Sequence, residues 1–127
     1  MSNVLLEIAI YLESKKVAKR TVDMFINMMP SSVNKGVLIK NSLAGVAIDH
    51  ELKGFVKADF QLIVRSPNYQ EGEALINKIS QILDFKTQTL GDTNFNFCRP
   101  RNYPIAFPIS EGNLFEFSVY FDFCTYE

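Results

Sequence analysis

Tryptophan is absent from the 127 residues, histidine occurs once, and cysteine occurs only at Cys98 and Cys124. The two cysteines follow no metal-ligand spacing such as Cys-x-x-Cys. A disulfide between them stays open on sequence, although two buried thiols in a cytoplasmic chain fit the pattern better. No charge of one sign prevails: the net charge is -1, so no global field draws a polyphosphate chain. Glycine and proline are sparse, at 6 and 5 residues, which excludes a disordered or fibrous composition. No run approaches the ~20 apolar residues of a membrane span. The opening "MSNVLLEIAIYLESKK" is interrupted by Glu7 and Glu13 and has no basic leader, so no signal peptide is expected. These absences point to a soluble, intracellular chain without membrane partners.

What is present is a hydrophobic content of 47% with 11 phenylalanines, many of them near the C-terminus. A chain of this length suits a single domain spanning 1–127, large enough for a core without metal or disulfide support. Helical spacing of Leu5, Ile8, Ala9 and Leu12 predicts a helix over 3–13, with Ser2 or Asn3 as its cap. "TVDMFINMMP" alternates and reads as a strand that Pro30 ends, with a helix as the alternative because Phe25 breaks the polar face, and "KGVLIKNSL" reads as a short strand over 36–43. Residues 44–54, "AGVAIDHELKG", read as a loop between glycines. From Phe55, Val56, Ala58, Phe60, Leu62 and Val64 alternate with Lys57, Asp59, Gln61 and Arg65, the signature of a half-buried antiparallel strand.

Ser66-Pro67 stops that strand. Asn68 and Glu71 then form a capping-box-like start for a helix reaching about Asp84, with Leu75, Ile79, Ile82 and Leu83 as its stripe. A strand carrying Phe95 and Phe97 follows "TLGDTN". "RPRNYPIAFPI" repeats proline every four residues and reads as an extended edge or loop. The last segment sets Phe115, Phe117, Val119, Phe121 and Phe123 opposite Glu116, Ser118, Tyr120 and Asp122. The fold class expected is α+β: one mostly antiparallel sheet flanked by two helices, with long projecting strands or loops. A strand of about a dozen residues reaches ~40 Å, against a radius of gyration of ~14 Å for such a domain. Unless a bulge or bend breaks them, strands of that length run past the core and need a partner surface, which points to an oligomer.

Three groups of residues invite a chemical reading. Arg65, on the corner before the helix, is either an anion clamp at a helix entry or a sheet-edge arginine paired with a carboxylate of its own or a neighbouring subunit. No glycine-rich turn precedes the helix, and Pro67 removes one donor, so the second reading is the stronger. His50 lies between Asp49 and Glu51, and neighbours on extended chain diverge, so the trio makes no metal site. A nucleophilic pair requires His50 beside Cys98 or a serine. Lys15, Lys16, Lys19 and Arg20 form one basic cluster, and Arg99 with Arg101 a second. Beside Tyr103, Phe95 and Phe97 these suit a single-stranded nucleic acid, or simply a solvated face. No catalytic residue, metal ligand or cofactor site stands out, and no enzyme is expected.

Taken in order, "LIVRSPNYQEGEALINKISQIL" resembles the tail terminator proteins of long-tailed bacteriophages, also known as tail completion or minor capsid proteins. In that family a strand ends in Arg, a polar turn with an aromatic follows, and an amphipathic helix packs back. Here these positions are Arg65, Ser66, Tyr69 and the helix over 74–83. "MFINMMP" and "RPRNYPIAFPISEGNLFEFSVYFDF" fit the family's early strand and its proline-containing loop before a closing strand. The resemblance implies a homo-oligomeric ring, usually a hexamer, in the virion. It would cap the head-proximal end of the tail tube after assembly in the host cytoplasm, stop tube growth and join the head connector. Its partners would be itself, the tail tube protein and the head connector or head-completion protein. DNA would pass as cargo, and there would be no cofactor and no small-molecule substrate. Expected interface residues are Arg65 and Tyr69, then Asp49, His50 and Glu51 in loop 44–54, and Arg99, Arg101 and Tyr103 at loop 99–112. The alternatives are a head-completion or connector subunit, and a small nucleic-acid-binding α+β module.

Overall fold

The computed structural model describes residues 4–41, 51, 54–108 and 114–126. Helix α1 (Val4–Ser14) is followed by strands β1 (Met24–Ile26), β2 (Gly36–Asn41) and β3 (Phe55–Ser66). Helix α2 (Tyr69–Ile82) precedes β4 (Phe85–Leu90), β5 (Thr93–Pro100), β6 (Ile105–Pro108) and β7 (Phe115–Tyr126). The seven strands make one sheet in the order β1-β2-β3-β7-β5-β4, with β6 also paired to β7. All pairings are antiparallel except β1 with β2. The α+β class read from the sequence is the fold observed.

The two long strands are the centre of the sheet. β3 and β7 pair along their whole length, from Phe55↔Tyr126 to Ser66↔Phe115. The free side of β7 is shared: β5 pairs its 121–126 half and β6 its 115–118 half. Between them, the Arg101 backbone N–H donates to Tyr120 O at 2.7 Å, and Tyr120 N–H donates to Asn102 Oδ1 at 3.0 Å. Strand length is thus absorbed by pairing within the sheet.

Alternation assigns one sheet face to the core. Phe60, Leu62, Val64, Phe117, Val119 and Phe121 are fully buried, and both helices pack on that face. The sheet curls until β1 and β2 at one edge and β4 at the other touch α1, with Tyr11 and Phe85 edge-to-face at 5.9 Å. α1 ends in a Schellman-type turn: Val17 N–H reaches Leu12 O and Lys16 adopts φ +60°.

α2 lies across the Ser66–Phe115 end of the central pair. Its stripe differs from the expected one: Gly72, Ile76 and Ile79 are buried with Leu83, while Leu75 and Ile82 are only partly covered. Asn68 Oδ1 caps Glu71 N–H at 3.0 Å as anticipated. The reciprocal half of the capping box is replaced, because Asn68 N–H donates to Ser66 Oγ and the Glu71 carboxylate faces Lys35 at 3.6 Å.

Strand β4 has no counterpart in the sequence reading. It forms a tight hairpin with β5 through Gly91 and Asp92, Gly91 taking φ +59°. A β-bulge at Asn96 then shifts the register of β5, so that Phe95 and Cys98 face the core while Phe97 faces away. Cys98 pairs with Phe123, and Phe97 with Cys124, so the two cysteines lie on adjacent strands but point to opposite faces. Both are free and buried.

Candidate interface site

The face of the sheet turned away from the helices carries most of the residues that sequence singled out. Arg65 stands directly opposite Glu116 on β7. Its Nε and Nη2 each approach Glu116 Oε2 at 3.2 Å, and Nη1 donates to Pro30 O at 3.1 Å and Val33 O at 3.0 Å. The guanidinium is only 15% exposed and is held by its own chain. It fastens the 30–35 segment to the corner of the sheet. Between the two readings of Arg65, the paired one describes this geometry, and the carboxylate comes from the same subunit. The helix entry is capped by Asn68 instead.

Further along the same face, Asp59 and Asp122 are directly opposed on β3 and β7, a cross-strand pair of like charges. Arg101 resolves the conflict: Nη2 contacts Asp59 Oδ2 at 2.6 Å, and Nε lies 3.0 and 3.2 Å from the two Asp122 oxygens. Hydrogen bonds that it donates to Asp122, then to Asp59, hold its guanidinium well above its ordinary pKa. At 46% side-chain exposure the pair is screened by solvent. Arg101→Ala therefore costs about 1 kcal/mol at neutral pH. Urea unfolding of parent and variant at neutral pH measures the difference, and no loss at all would mean that Arg101 does not relieve the opposed aspartates.

The remaining expected residues separate. Tyr69 packs on Phe115 and Phe117, at ring distances of 5.5 and 5.2 Å. Arg99 lies over the Phe97 ring at 4.6 Å. Tyr103 is 93% exposed, next to the edge strand β6, where Ile105 and Phe107 are also exposed. Glu51 is exposed, while Asp49 and His50 lie outside the described residues. Of the two expected contact loops, 44–54 lies mostly outside the described residues and precedes β3 in the chain, while the described part of 99–112 is not a loop throughout: it holds the end of β5 and strand β6, both paired to β7.

A family model described as bacteriophage tail terminator protein matches residues 11–126. The chain belongs to the tail terminator family. That makes it a structural protein of the phage tail. No curated protein matches this terminator in sequence. Its fold is similar to that of a chain in the virion of a native gene transfer agent particle, with TM-score 0.69 and 14% identity. The match covers 99% of this chain and 100% of the other.

In the terminator the thiol chemistry needed for a nucleophilic pair is missing from Cys98. Its side chain is fully buried, and burial pushes the thiol up to about 12, the reverse of an activated cysteine. Of the basic cluster, Lys16, Lys19 and Arg20 border one groove between α1 and β1, together with Glu13 and Asp23. Arg20 is tied to Glu13 through its backbone N–H and Nε, and Lys15 lies over the Tyr11 ring. Hydrogen bonding from the Arg20 backbone holds the Glu13 carboxyl below its usual range.

Sequence reasoning missed two features. One is the alternation of Tyr103, Ile105 and Phe107 along an edge that no strand pairs among the described residues, whose signal was present between the prolines. The other is an open groove of about 1250 Å³ between α1 and β1, bordered by Val17, Val22, Phe25 and Met28. Val22 and Met28 are 67% and 77% exposed there. Nothing local in the sequence marks them as neighbours of a sheet edge, because β1 is only three residues long.

Proposed function

We propose that this terminator forms a ring, six copies in the family's usual arrangement, that caps the head-proximal end of the tail tube. The ring ends tube polymerisation and joins the tail to the head connector or head-completion protein, with DNA passing through its lumen as cargo. The observation that carries the reading is the family match over residues 11–126, and the continuous β3–β7 pair, with its two different ends at Phe55↔Tyr126 and Ser66↔Phe115, supports it. A cap must meet the tube on one side and present something different on the other. Loop 44–54, with Asp49, His50 and Glu51, precedes the Phe55 end of that pair in the chain, and Arg65 and Tyr69 lie at its Ser66 end, so each subunit offers two unlike ends. Arg99, Arg101 and Tyr103 lie between them, suited to contacts among neighbours. Growth stops because the far end does not repeat the tube's own growing end, so the next heterologous contact is absent.

Electron microscopy of a lysate from phage lacking this gene tests the proposal. Overlong tails without heads are expected. Tails of normal length beside separate filled heads would instead make the protein a connector subunit. Intact infectious particles would overturn both roles.

A further inference from the structure

The groove between α1 and β1 joins an apolar floor to a charged rim. Val22 and Met28 are exposed in it, with Val17, Phe25 and Ile26 half-buried beside them. Apolar side chains gathered in one solvent-facing concavity mark a contact surface. A strand is not what they fit. Met24 N–H already donates to Lys19 O at 2.9 Å, and Met24 O accepts from Thr21 N–H at 2.8 Å, so the chain closes the outer side of β1 itself. Whatever docks here must do so through side chains.

The rim has a definite sign. Both of its carboxylates are engaged within the chain: Glu13 accepts from the Arg20 backbone N–H at 2.8 Å and from Arg20 Nε at 3.4 Å, and Asp23 accepts from the Lys19 backbone N–H. Arg20 is thereby neutralised by Glu13. Lys16 and Lys19 are exposed, and among the described residues neither belongs to an ion pair. Lys19 acts on Glu13 only at longer range. Two ammonium groups are therefore left to face an incoming partner.

We infer that the groove receives an acidic amphipathic helix of a partner protein, its apolar face on Val22, Phe25 and Met28 and its carboxylates beside Lys16 and Lys19. A helix satisfies its own backbone and docks by apolar anchors at i, i+3 or i+4, and i+7, which suits a groove whose strand edge has no backbone to offer. A second copy of this chain fits less well. The exposed apolar run Tyr103, Ile105 and Phe107 lies within "RPRNYPIAFP", which holds two arginines and no acidic residue, so it brings the wrong sign to the lysines. This partner site goes beyond the ring reading and does not depend on it, because the groove is complete within one copy.

Fluorescence anisotropy on the full-length protein tests the inference with two labelled helical peptides of about 14 residues. They share one leucine face, and the polar face carries glutamate in one and lysine in the other. The acidic peptide is expected to bind about tenfold more tightly than the basic one, and the double variant Lys16→Glu, Lys19→Glu to reverse that order. Met28→Asp weakens both peptides about fivefold or more, since it puts a charge on the apolar floor. All three substituted side chains are exposed, so the variants keep the fold, which circular dichroism checks. Binding of neither peptide, equal binding of both, or acidic-peptide binding that Met28→Asp leaves unchanged would overturn the inference. Self-association of the unliganded protein that Met28→Asp abolishes, seen by native mass, would give the groove to a second copy and overturn it as well. None of these outcomes touches the ring reading, which tail morphology decides.

Discussion

Replacing Gly72 by valine lowers stability by about 3 kcal/mol, and even alanine, normally the better helix former, lowers it by about 1–2 kcal/mol. Gly72 lies in the first turns of α2, in ordinary helical backbone, where Gly→Ala usually gains ~1 kcal/mol. Here a Cβ would sit 2.4 Å from Phe117 Cε2, 3.0 Å from Phe117 Cδ2 and 3.1 Å from Ser66 Cβ. Phe117 is 1% exposed and in contact with Tyr69, and Ser66 is held by its hydrogen bonds with Asn68. Neither neighbour can swing away. The helix would have to lift, at an overpacking cost of ~1–3 kcal/mol that outweighs the propensity gain. Thermal unfolding measures this, with a second variant to separate causes. In a Phe117→Leu background, which lacks the offending ring atom, Gly72→Ala is close to neutral. If alanine raised the melting temperature of the parent, the close approach of α2 to β7 would be wrong.

Arg65→Ala lowers stability by about 2–3 kcal/mol, a fall of roughly 6–9 °C in melting temperature for a domain of this size. The guanidinium makes charge-assisted contacts to Glu116 and to two backbone carbonyls of the 30–35 segment. Removing it leaves Glu116, itself only 28% exposed, without its partner. A single ammonium nitrogen cannot occupy the separate positions from which Nε, Nη1 and Nη2 make their contacts, so Arg65→Lys recovers at most half of the loss. Urea unfolding of the two variants decides it, and a loss below about 0.5 kcal/mol for alanine would show that the corner is fastened by other contacts. The sequence alone suggests that Arg65→Ala impairs assembly without unfolding the monomer. The enclosure of the side chain adds a stability cost to any assembly effect, so tail-joining assays on this variant need its folded fraction measured alongside.

The clearest sequence signals were the ones repeated over many residues. Strands β3 and β7 announced themselves because twelve-residue alternation leaves no other face to bury, and α2 because its cap and its stripe agreed. The register errors are instructive. Ile76, rather than Leu75, sets the buried stripe because Gly72 lets the helix approach on the 72-76-79-83 line, a choice made by the ring of Phe117 across the interface. β4 escaped notice because Lys86, Thr87 and Gln88 break its apolar pattern, although Gly91-Asp92 is a hairpin turn by itself. Arg65 was legible as a corner residue, but its partner Glu116 is 51 positions away. Arg101 could be seen only as one of two arginines in a proline-rich loop. The aspartates it reconciles lie on two other segments, brought together by the β3–β7 register. Such pairings are properties of topology, and a linear reading has no access to them.

The register of the central pair also determines how the molecule bears force. Loop 42–54 leads into the start of β3, and loop 109–114 into the start of β7, at the other pole. A pull between the two loops therefore draws the paired strands past each other along their length. The ladder hydrogen bonds, perpendicular to the strands, are loaded together in shear instead of being peeled apart one rung at a time. Joined to a neighbour at each pole, such a subunit behaves as a tension link whose strength scales with the full twelve-rung overlap.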